Sequence, residues 1–166
     1  MKLRKLEKRD APLMLEWMHD ESVVGDLHAN FTEKTITDCL DFIEMSRSDS
    51  ENIHLAIVSD EDEYMGTVSL KHVNYEMRNA EFAITVRKSA MGKGYSWYGM
   101  NAIMEKAFGE YGLQCVYWCV SRKNKRAVRF YDKHGFSEAN ALPQEIYDAY
   151  KDMDGLKWYA VEQRKK

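Results

Sequence analysis

Residues 80–111, AEFAITVRKSAMGKGYSWYGMNAIMEKAFGEY, join a strand, a glycine-rich turn and a helix in one uninterrupted run. Phe82, Ile84 and Val86 alternate with Glu81, Ala83 and Thr85, the period of a strand. Trp97, Met100, Ile103, Met104, Ala107, Phe108 and Tyr111 then recur at three- and four-residue steps, the period of an amphipathic helix. Gly92 and Gly94 lie between. Glycines let backbone approach a ligand closely, and the first N–H groups of a helix have no partner inside it. Such a junction suits a phosphate, which the helix dipole also favours. A dinucleotide fingerprint would need its last glycine where Trp97 stands, and the Gly-Lys of this turn is not followed by Ser or Thr as in a phosphate-binding P-loop.

The rest of the chain bounds what that junction can serve. At 166 residues and 45% hydrophobic content it predicts one domain, residues 1–166, with a single core. A net charge of −3 gives no electrostatic reason to expect nucleic acid or an anionic membrane as partner. No leader-like apolar run opens the sequence and no stretch is long enough to span a bilayer, so a cytoplasmic location is expected. Cys39, Cys115 and Cys119 form neither a metal nor a disulfide pattern and read as reduced thiols, and no metal site is expected.

In chain order, residues 2–7 read as a short edge strand. Asp10 and Pro12 open a helix carrying Leu13, Met14, Trp17 and Met18 and ending near His19. Residues 20–31 read as loop, and a second helix follows from Thr32 to about Met45. Residues 53–59 and 64–73 form a hairpin around the acidic turn 60–63, with Gly66 at a bulge or close approach. After the central strand and helix come a strand at 114–121, a helix at 122–134 stopped by Gly135, a strand at 136–141 and a closing strand at 156–162. Residues 142–155 are left open, with a short helical excursion through Ile146 and Tyr150 as one reading. The expected fold is α/β (α+β), a mixed, mostly antiparallel sheet in the order β-α-α-β-β-β-α-β-α-β-β.

Two segments carry a family resemblance. Met91-Gly92-Lys93-Gly94-Tyr95-Ser96 is similar to the Q/R-x-x-G-x-G/A loop of the GNAT acetyltransferases, departing from it at Met91 and Ser96. Residues 124–136, NKRAVRFYDKHGF, match that family's N-x-x-A-x-x-x-Y-x-x-x-G-F segment at Asn124, Ala127, Tyr131, Gly135 and Phe136. Asn124 and Tyr131 are seven residues apart, about 10 Å or two turns along a helix, and on nearly the same face. The resemblance covers nearly the whole chain and is to the branch holding ribosomal-protein N-terminal, spermidine and amino-sugar-nucleotide N-acetyltransferases.

What the resemblance implies is an acetyl-CoA-dependent N-acetyltransferase. The loop Met91–Ser96 would hold the cofactor pyrophosphate through backbone N–H groups. Asn124 would help to hold the cofactor, with Lys125 and Arg126 beside the adenosine phosphate. The backbone of Ile84, Thr85 and Val86 would pair with the pantetheine arm as though it were a neighbouring strand. Tyr131 would protonate the departing thiolate, and a central-strand N–H would stabilise the oxyanion. The acceptor is a primary amine of a small molecule or a peptide N-terminus, attacking the thioester directly.

The general base is less determined. The position where ribosomal-protein N-terminal acetyltransferases carry a Glu is here Cys119, a poor substitute. Glu81 is the next candidate, with a polar residue on a strand's open face as the competing reading. His28 and His72 could relay protons through water. The acceptor groove would lie near Trp17, His19, Asp20, Asp26, His28 and Phe31, with Tyr147 and Trp158 opposite. A non-catalytic acyl-CoA-binding domain of the same fold is the alternative, and monomer and homodimer are both open.

Overall fold

The computed structural model describes residues 1–27 and 29–163. Seven strands form one sheet: β1 (Lys2–Lys5), β2 (Ile53–Val58), β3 (Tyr64–Asn74), β4 (Asn79–Val86), β5 (Cys115–Ser121), β6 (Ser137–Glu138) and β7 (Leu156–Glu162). Their spatial order is β1-β2-β3-β4-β5-β7-β6. Every pairing is antiparallel except β4 with β5, which is parallel. The parallel pair is joined by the crossover helix α4 (Tyr95–Glu105), as a parallel connection requires. This is the mixed, mostly antiparallel α/β sheet expected from the sequence.

The sheet divides the apolar side chains into two cores. On one face Phe82, Val86, Met100, Ile103, Val116, Trp118 and Tyr131 pack together under α4 and α5 (Lys125–Lys133). On the other, Ala56, Val58 and Tyr64 meet Met14, Trp17, Cys39 and Ile43 from α1 (Ala11–Met18) and α3 (Ile36–Ser48). Trp17 Nε1 donates to the Tyr64 hydroxyl at 2.9 Å, so the buried polar atoms of this core are paired. Arg87, just past β4, ties the sheet to α1 through Glu16 and also meets Glu63 and the Tyr64 carbonyl. Gly66 pairs with Ile57 beside a register shift that sets Val58 opposite Tyr64. A Cβ there would come within 2.6 Å of the Thr85 carbonyl oxygen, so Gly66 serves both a bulge and a close approach to β4.

The structure departs from the sequence reading where local hydrogen bonding outweighs periodicity. The loop 20–31 contains a short helix, α2 (Glu21–Val24), because the Asp20 carboxylate accepts from Ser22 N–H. The second long helix starts at Ile36, where Thr35 and Asp38 form a reciprocal capping box, and not at Thr32. Asp10 makes no cap bond to α1; its buried carboxylate accepts instead from Glu7 N–H and from the Arg4 guanidinium. The expected helix at 122–134 begins at Lys125. The strand at 136–141 shrinks to Ser137–Glu138, and the open stretch holds α6 (Gln144–Tyr150).

Candidate active site

β4 and β5 pair over three residues only, Asn79–Glu81 against Cys115–Tyr117, and then diverge. The opening between them leads into a groove of about 650 Å³. Its walls are β4 from Glu81 to Val86, β5 from Trp118 to Ser121, the turn before α4 and one side of α5. From Phe82 onward β4 pairs with β3 alone, so along the groove one backbone edge is turned to the opening. Ile84, Thr85 and Val86 all line it.

The glycine turn lies at the mouth. Gly92 and Gly94 have φ of +76° and +88°, a left-handed backbone that side chains with a Cβ resist. Gly94 caps α4, and Tyr98 N–H is bonded to the Gly94 carbonyl at 3.0 Å. The N–H groups of Tyr95, Ser96 and Trp97 therefore precede the helical ladder, at the positive end of the helix dipole. Met91, Gly92, Gly94, Tyr95 and Ser96 line the groove; Lys93 is exposed outside it.

Across the opening, α5 is held at both ends. Asn124 Oδ1 accepts from Ala127 N–H at 3.2 Å. At the other end Gly135 N–H bonds the Asp132 carbonyl and Phe136 N–H the Tyr131 carbonyl, the paired bonds of a Schellman stop. The spacing of the 124–136 segment is thus explained by the two ends of one helix. Asn124, Arg126 and Tyr131 line the groove, whereas Lys125 is exposed outside it. Tyr131 is 6% exposed and packs on Trp118 and Tyr159 with ring centroids 5.3 and 5.2 Å away. Burial pushes its phenol above the ordinary tyrosine range, so it carries its proton at neutral pH.

Glu81 is 2% exposed and is not an open-face residue. The Tyr150 hydroxyl donates to its Oε1 at 2.5 Å, and Lys71 Nζ lies 3.4 Å from the same oxygen. Its Oε2 is buried and accepts no hydrogen bond among the described residues. Buried carboxylates are normally paired, and here one oxygen is clamped while the other has His72 Nε2 at 3.6 Å, beyond hydrogen-bond distance. Glu81, Lys71 and Cys119 all line the groove. Burial, and then the neighbouring Glu81 carboxylate, push the Cys119 thiol up to about 12, which leaves little thiolate for nucleophilic or base chemistry.

Of the residues expected around an acceptor, Asp26 and Phe31 line the groove, with Ser22 and Val23 of α2 beside them. Trp17 is buried against Tyr64, His19 Nε2 is bonded to the Lys34 carbonyl, and Asp20 is occupied in capping α2. Tyr147 is exposed and Trp158 packs edge-on against Tyr150. His28 lies outside the described residues. The sequence reading missed Lys71 and Tyr150. Lys71 could have been found from the hairpin register, since it pairs directly with Glu81. Tyr150 had no such signal. Among the described residues no cluster of His, Cys, Asp and Glu could hold a metal ion, and no helix is long and apolar enough to cross a membrane.

Known proteins are similar to this chain in sequence and in fold. Residues 1–137 match the family model described as acetyltransferase (GNAT) domain. The spermidine N(1)-acetyltransferase of Escherichia coli strain K12 is 28% identical over 152 residues, covering 89% of this chain and 78% of its own. An uncharacterized N-acetyltransferase, p20, of Bacillus licheniformis is 23% identical over 145 residues, covering 84% of this chain and 80% of its own. The spermidine N-acetyltransferase of Vibrio cholerae, solved in complex with CoA and spermine, superposes with a TM-score of 0.80 at 22% identity. That superposition covers 98% of this chain and 95% of the other.

Proposed function

Because this chain belongs to the GNAT acetyltransferase family, we propose that it transfers the acetyl group of acetyl-CoA to a primary amine of a polyamine. The observation that carries this reading is the divergence of β4 from β5 beyond Glu81, with the α4 N-terminus at one end of the opening and a buried carboxylate at the other. A pantetheine arm needs the first of these features and a pyrophosphate the second. An ammonium group needs the third.

Features of the groove support acetyl-CoA as its ligand. The left-handed Gly92 and Gly94 bring free N–H groups to the mouth, and the edge of β4 from Ile84 to Val86 offers backbone partners along its length. Asn124 and Arg126 lie on the opposite wall. The thioester supplies an activated acyl group. Glu81 Oε2 receives the substrate ammonium and takes its proton, and the neutral amine attacks the thioester carbon. The C–N bond forms as the C–S bond breaks, and the Tyr131 hydroxyl gives its proton to the departing sulfur. Tyr131 then recovers a proton from the new amide nitrogen through solvent, so one proton is released per acetyl group moved.

Polyamines are favoured over neutral or anionic acceptors because the acceptor half of the groove carries Asp26 in addition to Glu81. A similar family member from Escherichia coli is named for spermidine. The test is thiol release from acetyl-CoA with spermidine, spermine, putrescine and a ribosomal-type N-terminal peptide in parallel. Turnover with the polyamines and none with the peptide is the expected result. Turnover with the peptide alone would overturn the acceptor. A melting shift with CoA and no turnover with any amine would leave the non-catalytic acyl-CoA-binding reading.

A further inference from the structure

β3 is interrupted where it passes Glu81. Its pairing with β4 breaks between Lys71 and Asn74, and within the break His72 has φ of +51°. A left-handed backbone at a residue with a Cβ is uncommon and costs about 1–3 kcal/mol, and such residues cluster at functional sites. The break is held from below by β2's entry: His72 N–H donates to Asn52 Oδ1 at 3.1 Å, and Val73 N–H to the Glu51 carbonyl at 2.9 Å. Its effect is to set the His72 imidazole 3.6 Å, Nε2 to Oε2, from the Glu81 oxygen that accepts no hydrogen bond among the described residues.

The geometry points to His72 as the residue that carries the acceptor's proton from Glu81 to solvent, an inference that rests on the acetyltransferase reading above. Glu81 is 2% exposed, while the His72 side chain is 44% exposed. The groove is lined by Lys71 and Glu81 and not by His72. His72 therefore meets the carboxylate from outside the groove. The other groups around Glu81 do not serve. Lys71 and Tyr150 both contact Oε1, and Cys119 holds its proton tightly. Imidazole exchanges protons with water near neutral pH, and an unliganded contact of this length commonly tightens once a substrate is bound. The step balances simply. The ammonium proton passes to the Glu81 carboxylate, then from Oε2 to His72 Nε2, and the opposite ring nitrogen or the same one releases it to water. No oxidant or further reactant is needed.

The test is the single-turnover rate of acetyl transfer to spermidine at neutral pH, with and without added imidazole. It compares wild type with His72→Asn, His72→Gly and Glu81→Gln. Asn and Gly both accept the left-handed backbone, so the break in β3 is retained, and a CoA melting shift equal to wild type checks the fold. The expected result is transfer at least about tenfold slower in both His72 variants. Imidazole, entering the space left in His72→Gly, should restore its rate with a saturating dependence. Glu81→Gln should be slow and indifferent to imidazole. Wild-type rates in both His72 variants, or a slow His72→Gly that imidazole does not restore, would overturn the role of His72 alone. An inactive wild type, or an active Glu81→Gln, would instead overturn the reading on which it rests.

Discussion

Lys71 and Glu81 stand directly opposite each other in the β3–β4 register, and the lysine ammonium meets the side of the carboxylate that Tyr150 already clamps. Two positive or donating groups thus share Oε1. Replacing Lys71 with Met keeps the aliphatic stem and removes the charge, leaving a buried carboxylate with one partner fewer. The expected loss is about 1–2 kcal/mol of stability, read from urea unfolding. An unchanged midpoint would mean that the Tyr150 hydrogen bond holds the carboxylate without the lysine.

Tyr131 gives a cleaner separation of chemistry from folding. Its ring lies in a cluster with Trp118, Phe136 and Tyr159, which phenylalanine can occupy without the hydroxyl. Tyr131→Phe should lower kcat by about 10²–10⁴-fold while the melting shift with CoA stays as in wild type. A kcat within twofold of wild type would remove Tyr131 from the proton transfer.

Gly94 tests the mouth of the groove. A Cβ there would have only the end of Met1 for a neighbour, at 3.8 Å, so crowding is not the issue. Its φ of +88° is. Gly94→Ala should cost about 1–2 kcal/mol through the backbone and weaken CoA, because relaxing that angle re-aims the first N–H groups of α4. Calorimetric titration with CoA would register the change; equal affinity would mean that the turn is only a connector.

His54 makes stability depend on pH in a defined window. It is largely buried, tilted against the Phe42 ring and hydrogen-bonded to Ser69, and desolvation lowers its pKa from 6.5 to about 4. The unfolded chain takes up a proton below pH 6.5 and the folded chain does not until about 4, so stability falls as pH falls through that window. The loss from this one group reaches about 3 kcal/mol at most. Unfolding of His54→Gln measured from pH 7 to pH 4 should show a flatter slope than wild type. Parallel slopes would show that the imidazole is not held neutral.

The end of the groove at the glycine turn was legible in the sequence because it is built from local signals. Gly92 and Gly94 mark a turn whose angles only glycine takes easily, and Asn124 and Gly135 mark the two ends of one helix. The divergence of β4 and β5 had no such mark, since Phe82 to Val86 alternate in the same way whether or not a neighbour is paired. The acceptor half was hidden for a different reason. Glu81 reads as a surface residue until α6 covers it, and the tyrosine that clamps it is 69 positions away in a segment with weak periodicity. Asp10 misled in the opposite sense: its place before Pro12 fits a helix cap, but Arg4 and Glu7 N–H claim the carboxylate.

Tyr150 ends a helix of seven residues that docks through the buried side chain of Ile146 and the edge contact with Trp158. A helix this short has no standing of its own in water. The clamp on Glu81 is therefore fastened to one of the least autonomous pieces of the chain, while the groove belongs to the sheet. On warming, α6 can fray and release the carboxylate while the strands are still paired and a nucleotide-bearing ligand is still held. Loss of turnover would then run several degrees ahead of melting, and the working temperature range of this protein would be set by one helical turn and not by its core.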